Sequence, residues 1–469
     1  FHLHKILDAT NTFYPYLFLY PIALLQLVLA PIKSYYIGLA IYTFSSFLIS
    51  FIFAKKILNS TSGAYIFSLL YNTGSYLLLQ ITLRTDIGEY LALIFLPIAF
   101  YGLTKLDDSR ASWIMLPIGM ALIAYSHILS IVIFAIAFFI YLCLSYKNIT
   151  LRILKRIMYS ITLFGLILLP FLIRFITIKK DDHTFIPATP KPLKEAALIP
   201  AKLFNNSISN VITYGLDNVN FGITLIITSF IRICCFRKLN VTAKKYFLTG
   251  IILVLITTSI FPWFLFQRTP LVLIQFPWRF LGPASFFVAL SAGLLFSNIT
   301  ITNKYRYIMP TILLLLPVLS FTNYYAYITD NTINSNNYFT AARNAEYQDY
   351  MPNKAIPYSK NILNHTAIIN GKKRILNKNN YLQKPRGINV TVRHLKPNQE
   401  NTIDLPILRY SYDQKYKRSK RGTILIKTRP KHTSQTLNYM QGSTYPPIIT
   451  IIIALGTTFF SLAYFYVRK

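Results

Sequence analysis

Acidic residues are scarce in this chain, in which 15 Asp and Glu stand against 48 Lys and Arg among 469 residues. Charged residues make up only 13% of the sequence, whereas a water-soluble domain carries about 25%. Hydrophobic residues reach 54%, far more aliphatic and aromatic material than a disordered chain contains. The composition therefore predicts an integral membrane protein.

Cysteine and the sequence motifs of common enzymes are also rare or absent. Cys143, Cys234 and Cys235 lie in or beside apolar segments, without the spacing of a disulfide framework or a zinc site. No Walker A, GxGxxG, HExxH or GxSxG pattern occurs, so an ATP-driven pump, a dinucleotide enzyme and a serine hydrolase have no support. The net charge of +33 is spread between hydrophobic runs, which indicates membrane topology and anionic lipid rather than a nucleic-acid partner.

Apolar runs of about 20 residues predict transmembrane helices. We expect eleven, near residues 35–54, 64–83, 90–104, 112–126, 128–146, 157–177, 219–236, 246–262, 280–297, 306–322 and 447–467. The further apolar run 14–32 contains three prolines and favours a helix that lies along the membrane interface. Sixteen Lys and Arg fall in the connections on one side and three in the short turns on the other, which predicts that the first side is cytoplasmic.

The composition changes after the tenth predicted span. Residues 323–446 hold 20 Lys and Arg and six Asp and Glu, and apolar residues alternate along stretches such as 388–392 and 423–427. Alternation of this kind predicts half-buried strands. We therefore expect a transmembrane domain at 1–322, a small extracytoplasmic β-rich domain at 323–446 and a final transmembrane helix at 447–469. A basic disordered linker is the alternative for residues 323–446. Because the chain begins at Phe1 with no signal-like stretch, we also expect an upstream segment.

The turn from Arg84 to Glu89 is the strongest candidate for chemistry. It places Arg84, Asp86 and Glu89 between two apolar runs at the predicted outer face, where ionisable groups need partners or water. Such a cluster can bind a metal, orient a phosphate or supply a base. The alternative is a purely structural cap, in which Arg84 pairs with one of the two carboxylates. Residue types alone leave both interpretations open.

Three further segments of the predicted outer face carry candidate ligand-binding residues. His127 lies in a polar break between two apolar runs, where a lone histidine is more often part of a hydrogen-bonded structure than a ligand. Trp278 and Arg279 begin a span, and an interface anchor with a snorkelling cation explains them adequately. An arginine beside an aromatic ring also suits a pyrophosphate or a sugar, and Arg268 lies nearby in sequence.

Several short segments, taken in order along the chain, carry a family resemblance. They are Phe1 to Ile6, Tyr14 to Tyr16, Arg84 to Pro97, Ser126-His127, Phe276 to Arg279, Asp404 to Pro406 and Gly422 to Ile424. In these segments the chain resembles the YfhO-like bacterial membrane proteins and relatives named as related to 6-pyruvoyl-tetrahydropterin synthase. Both groups are similar to the GT-C glycosyltransferase superfamily. Pterin-synthase chemistry is not expected, because it needs a zinc-binding histidine cluster and the seven histidines here are dispersed.

The resemblance implies an all-α polytopic membrane fold in the cell membrane. It also implies a polyprenyl-phosphate-linked sugar as donor, and transfer at the outer face to an extracytoplasmic glycan or wall polymer. The loop that carries the family's catalytic acid would precede Phe1 and is not in this sequence. The expected catalytic residues are Asp86 and Glu89, which could act directly or through a divalent metal. The expected substrate-binding residues are Arg84, His127, Arg268, Trp278 and Arg279.

Two other functions remain compatible with this composition. One is transport or flipping of a lipid-linked glycan, against which the small number of charged residues within the predicted spans counts. The other is a non-catalytic role in envelope assembly, which the basic segment 323–446 suggests.

For transfer chemistry, a base must act on the acceptor hydroxyl and cations must stabilise the phosphate leaving group.

Overall fold

The computed structural model describes residues 17–108, 110–182, 191–210, 219–297, 351–384, 387–410, 413–440 and 447–468. The chain divides into two compact units. The helical unit comprises Pro15–Leu168, Thr189–Thr332 and Ala454–Lys469, and the sheet unit comprises Phe1–Tyr14, Leu169–Ala188 and Ile333–Ile453. The predicted span at 306–322 and the first residues of the predicted β-rich domain, 323–350, lie outside the described residues.

Fifteen α-helices are described, mostly in the helical unit. They are α1 Tyr20–Leu25, α2 Pro31–Leu58, α3 Thr61–Asn72, α4 Ser75–Ile81, α5 Ile87–Thr104, α6 Met115–Ala124, α7 Ile128–Cys143, α8 Leu151–Asp182, α9 Leu193–Ala196, α10 Pro200–Ser209, α11 Ile223–Cys234, α12 Val241–Thr257, α13 Leu281–Ser297, α14 Ser359–Leu363 and α15 Ile448–Val467. Short 3-10 helices join or precede them at Leu17–Leu19, Ala111–Ile114, Tyr146–Asn148, Phe236–Lys238, Trp263–Phe266, Pro270–Ile274, Pro277–Phe280, Asn353–Tyr358 and Lys378–Asn380.

Long apolar helices confirm the prediction of a helix-rich membrane protein. Among the described residues, five helices are long and apolar enough to cross a bilayer: Pro31–Leu58, Ile87–Thr104, Leu151–Thr177, Pro277–Ser297 and Ile448–Val467. Three shorter apolar helices, Ala111–Ala124, Ile128–Cys143 and Ile223–Cys234, coincide with other predicted spans. The predicted span at 64–83 is divided into α3 and α4, which are separated at Thr73 and Gly74.

Two glycines allow α5 and α6 to pack closely. A Cβ atom at Gly102 would lie 2.0 Å from the backbone nitrogen of Leu116, and one at Gly119 would lie 2.4 Å from that of Ala99. Small residues permit such close approach of helices in membranes. Because the end of α5 meets the start of α6, the two helices are antiparallel. The chain that leaves α6 therefore returns to the end of the helical unit at which α5 begins.

The described part of the sheet unit contains eight antiparallel strands in two sheets. They are β1 Thr366–Ile369, β2 Lys372–Ile375, β3 Tyr381–Lys384, β4 Gly387–Arg393, β5 Asn401–Leu408, β6 Lys417–Arg418, β7 Thr423–Thr428 and β8 Ser434–Met440. The strand order is β2-β1-β5-β7-β6 in one sheet and β3-β4-β8 in the other. Both sheets contribute to one apolar core, which contains Val390, Leu405, Ile424 and Tyr439. The predicted strands at 388–392 and 423–427 are confirmed, and the described part of the segment is not a disordered linker.

A buried ion pair lies on the central strand of the five-stranded sheet. Nε of Arg421 donates to Oδ2 of Asp404 at 2.9 Å, and the hydroxyl of Thr423 donates to the other carboxylate oxygen. Nη1 of Arg421 donates to the carbonyl of Thr366 at 3.0 Å. Asp404 and Arg421 are both buried. The pair therefore ties three segments of the sheet unit together in a site that is largely removed from water.

Removal of one partner of this pair should destabilise the sheet unit strongly. We expect Arg421→Met to lower its free energy of unfolding by about 3 kcal/mol, because the Asp404 carboxylate would stay buried without its cation. Protease resistance of the sheet unit during chemical unfolding of the full chain measures this loss. The matched control is Lys427→Met, since Lys427 pairs with Glu400 at 2.8 Å but both side chains are about half exposed; its loss should stay below about 1 kcal/mol. Equal losses in the two variants would contradict the prediction.

Candidate active site

A buried carboxylate lies at the centre of the candidate site. Glu89, in the first turn of α5, is 2% exposed. Its Oε2 atom lies 2.7 Å from Nη1 of Arg84 and 3.1 Å from Nε of Arg279. One oxygen thus holds two guanidinium groups that are far apart in sequence. The structure brings these three predicted residues together.

Helix α4 supplies two further partners of Glu89. The hydroxyl of Tyr76 donates to Oε1 of Glu89, and Nε2 of Gln80 lies 3.4 Å from the same oxygen. Nη1 of Arg84 also donates to Oε1 of Gln80 at 2.9 Å. Tyr76, Gln80 and Arg84 are spaced by four residues, as on one face of a helix. Tyr76 and Gln80 were not predicted from the sequence. Gln80 could have been found, because it is a polar residue inside an apolar run, four positions before Arg84.

Asp86 is the more accessible carboxylate of the cluster. Its side chain is 18% exposed, and its Oδ2 atom lies 3.1 Å from Nη2 of Arg84. Oδ1 accepts a hydrogen bond from the backbone N–H of Glu89 at 3.0 Å, so Asp86 is also the N-cap of α5. The ion-paired cap, which is the structural alternative drawn from the sequence, is therefore present, and the turn also leaves one carboxylate partly exposed.

Arg279 enters the site from the 3-10 helix Pro277–Phe280 that leads into α13. Its Nη1 atom donates to the carbonyl of Ile274 at 2.8 Å and to Oε1 of Gln275 at 3.2 Å. Its Nη2 atom forms no hydrogen bond with the described residues. The ring of Trp278 packs against Arg84, with 4.6 Å between the guanidinium carbon and the ring centroid. This arginine-on-tryptophan contact is a cation–π interaction.

His127 completes the cluster at the turn between α6 and α7. It is buried, and its Nδ1 atom lies 2.8 Å from the hydroxyl of Ser130. Burial lowers the pKa of His127, while the nearby charge of Asp86 acts in the opposite direction and that of Arg279 adds to the decrease. The imidazole is therefore neutral at neutral pH.

Arg268 lies outside this cluster. It is exposed, and it forms no ion pair or hydrogen bond with the described residues. The neighbouring Gln267 is used structurally, since its Oε1 atom accepts from the backbone N–H of Leu193 at 2.8 Å. Among the described residues, no group of three or more His, Cys, Asp or Glu side chains is arranged to hold a metal ion.

Backbone strain occurs in both turns that border the cluster. Thr85 has a φ of 48°, in the left-handed region that β-branched residues rarely adopt. Gln275 has a φ of 63° and a ψ of −48°, and the N–H of Phe276 donates to the carbonyl of Ile274 at 2.6 Å across it. This is the rare, strained form of the three-residue γ-turn. Such strain is concentrated at functional sites, where surrounding contacts must maintain it.

Relief of the strain at Thr85 should stabilise the protein. Thr85 is exposed, and asparagine tolerates the left-handed conformation better than threonine, so we expect Thr85→Asn to raise the free energy of unfolding by about 1 kcal/mol. Thermal unfolding in detergent measures the change. Thr433→Asn is the matched control, because Thr433 is exposed and does not have a positive φ. A decrease in stability for Thr85→Asn would show that the turn is not strained.

The charge of Asp86 should contribute a pH-dependent part of the stability. Burial raises the pKa of Asp86, but the charge of His127, which is protonated at the acidic pH where Asp86 titrates, the charge of Arg84 and the hydrogen bond from Glu89 outweigh burial and lower that pKa to about 2. An unfolded aspartate has a pKa of about 3.9, so this contribution is present above pH 4 and is lost as the pH falls toward 2. We expect the free energy of unfolding of wild type to be about 2 kcal/mol higher than that of Asp86→Asn at pH 6, and we expect this difference to be smaller at pH 3.

Asparagine is chosen because it still caps a helix, so the variant removes the charge and keeps the cap. Unfolding by denaturant at a series of pH values measures the difference. Asp107→Asn serves as the control, since Asp107 is an exposed acid near the opposite end of α5. A stability difference between wild type and Asp86→Asn that stays constant from pH 6 to pH 3 would contradict the assignment.

Comparison with known proteins does not place this chain in a family. No protein-family model, no curated protein and no solved structure matches it. The interpretation of the cluster therefore rests on its geometry and chemistry.

Proposed function

We propose that this protein is a membrane glycosyltransferase that transfers a sugar from a polyprenyl-phosphate-linked donor to an extracytoplasmic glycan or wall polymer. The observation that carries the proposal is the cluster itself: two guanidinium groups held by one buried carboxylate, beside a partly exposed carboxylate and a neutral imidazole. Transfer from a lipid phosphate needs cations at the leaving phosphate and a base at the acceptor hydroxyl. The cluster contains both kinds of group.

The two arginines are suited to the leaving phosphate. Arg84 and Arg279 are fixed through Oε2 of Glu89, and Nη2 of Arg279 forms no hydrogen bond with the described residues. A preorganised guanidinium of this kind stabilises charge that develops in the transition state. Both oxygens of Glu89 already accept hydrogen bonds, so we assign Glu89 as a positioning residue rather than the catalytic base expected from the sequence.

Asp86 and His127 form the proton-accepting side of the proposed site. A carboxylate with a pKa of about 2 is ionised but is a weak base, whereas a neutral imidazole accepts a proton more readily near neutral pH. In this proposal, the acceptor hydroxyl loses its proton to His127, and Asp86 stabilises the imidazolium that forms. The acceptor oxygen then bonds to the anomeric carbon as the bond from that carbon to the phosphate oxygen breaks.

The proposal also includes the finer architecture expected from the sequence. This is a GT-C-like arrangement of about eleven spans in the cell membrane, with the β-rich segment outside the cytoplasm. It is supported by the asymmetric distribution of Lys and Arg between the two sides of the predicted spans. The sheet unit would then bind or screen the acceptor.

Transport of a lipid-linked glycan is the second candidate, and one observation favours it. Buried polar side chains join α2 and α3: Ser46 donates to Oδ1 of Asn72, Nδ2 of Asn72 lies 2.8 Å from the hydroxyl of Ser50, and Ser50 lies 2.8 Å from Ser68. Polar groups inside spans line the substrate pathways of transporters. They also hold membrane helices together, which is the structural alternative here.

Loss of either proton-accepting residue should abolish transfer without removing the protein from the membrane. We expect Asp86→Asn and His127→Gln each to lower transfer at least 100-fold, the usual contribution of general acid–base catalysis. The measurement is the profile of lipid-linked and polymer-linked glycans in cells that lack the protein and are complemented with each variant. Asp107→Asn, which changes an exposed acid outside the cluster, should restore the wild-type profile.

The same profile separates the two candidate functions. A glycan that lacks one sugar in the absence of the protein indicates transfer, whereas accumulation of a complete lipid-linked intermediate indicates transport. Full activity of both Asp86→Asn and His127→Gln would overturn the site assignment.

A further inference from the structure

Helix α11 has one buried polar face and one exposed apolar face. The buried face contains Thr224, Leu225, Thr228, Ser229 and Arg232. The large residues exposed on the same helix are Ile227, Phe230, Ile231 and Ile233. An apolar face of this kind suits contact with lipid, whereas an arginine on the inner face needs an explanation.

Arg232 is a buried cation with no counter-ion among the described residues. It is 1% exposed, and in the described part of the chain neither its Nε atom nor its Nη2 atom has a hydrogen-bond partner. No carboxylate of the described residues forms an ion pair with it. The hydroxyls of Thr228 and Ser229 on the same face donate to carbonyls of their own helix. A desolvated guanidinium is costly unless an anion pairs with it.

The two unpartnered atoms lie on the same edge of the guanidinium group. In arginine, the N–H of Nε and one N–H of Nη2 point in parallel, which is the edge that binds the two oxygens of a carboxylate or a phosphate. Arg421 shows how this chain satisfies that edge elsewhere, because its Nε and Nη2 atoms donate to Oδ2 and the backbone carbonyl of Asp404 at 2.9 and 3.2 Å. In Arg232 no described residue supplies an acceptor to either atom of this edge.

The surroundings of Arg232 favour a phosphate at the membrane surface. Arg232 lies in the last turn of α11, and exposed Arg237 and Lys238 follow in the 3-10 helix Phe236–Lys238. Cations clustered just beyond a span attract anionic lipid headgroups. The charge distribution predicts that this end of the helix is cytoplasmic and that the cluster around Glu89 is at the outer face, so the two sites are separate.

We propose that the Nε–Nη2 edge of Arg232 binds a phosphate oxyanion, such as that of an anionic lipid headgroup, at the predicted cytoplasmic end of α11. The phosphate supplies the two acceptors that the described residues do not. This binding site does not depend on the proposed transferase activity.

Thermal unfolding of the delipidated full chain in a non-ionic detergent tests the proposal. The additives are phosphatidylglycerol, phosphatidylcholine and inorganic phosphate, and the variants are Arg232→Met, Arg232→Lys and Arg237→Gln. We expect phosphatidylglycerol to raise the melting temperature of wild type, to raise that of Arg237→Gln by less because one attracting charge is lost, and to leave that of Arg232→Met unchanged. Titration should show that Arg232→Met binds phosphatidylglycerol at least tenfold more weakly than wild type. Arg232→Lys should show an intermediate loss of affinity, because lysine keeps the positive charge but lacks the two parallel N–H donors of the guanidinium group.

A second measurement distinguishes a ligand-binding arginine from a structural one. Without added lipid, Arg232→Met should unfold at the same temperature as wild type or higher, because the variant removes a buried charge that has no partner. A lower melting temperature in that condition, or equal affinity of wild type and Arg232→Met for phosphatidylglycerol, would overturn the proposal. A shift produced equally by inorganic phosphate would support the oxyanion site and assign it to free phosphate instead of lipid.

Discussion

The contact of the Glu89 carboxylate with two guanidinium groups determines how this end of the helical unit is built. Arg84 and Arg279 are 195 positions apart in the chain, and Oε2 of Glu89 lies within 3.1 Å of both of them. Since all three groups are largely removed from water, none can lose its partner without leaving an uncompensated charge. The turn before α5 and the 3-10 helix before α13 are therefore joined by a constraint much stronger than a surface ion pair.

The scarcity of acids is the reason that sequence reasoning could locate this cluster. With 15 Asp and Glu in the chain, a turn that contains two of them between apolar runs stands out, as does an arginine beside a tryptophan at the start of a span. The hydrogen-bond partners Tyr76 and Gln80 were missed because their contact with Glu89 depends on which face of α4 is turned inward. Arg268 was grouped with the site by nearness in sequence, which carries no information about the direction of an exposed side chain.

The fold was predictable to different degrees in its two parts. Alternation of apolar residues located β4 and β7, because a strand buried on one side carries that pattern directly. Apolar runs located helices but not their lengths or breaks, and α3 and α4 show why: hydropathy continues through Thr73 and Gly74, where the helix ends and restarts. That break cannot be read from hydropathy, and it places Tyr76 at the start of the helix that reaches Glu89.

The charge balance of the cluster bears on the proposed sugar transfer. Two arginines and two carboxylates cancel, and the neutral His127 adds no charge, so the described site can exist at the membrane boundary without a bound anion. A strongly cationic pocket would hold a ground-state phosphate tightly and would gain little at the transition state. Fixed dipoles and charges that sum to zero instead favour a reaction in which negative charge moves from one group to another within the site. Sugar transfer is such a reaction, because charge leaves the acceptor oxygen and accumulates on the departing phosphate.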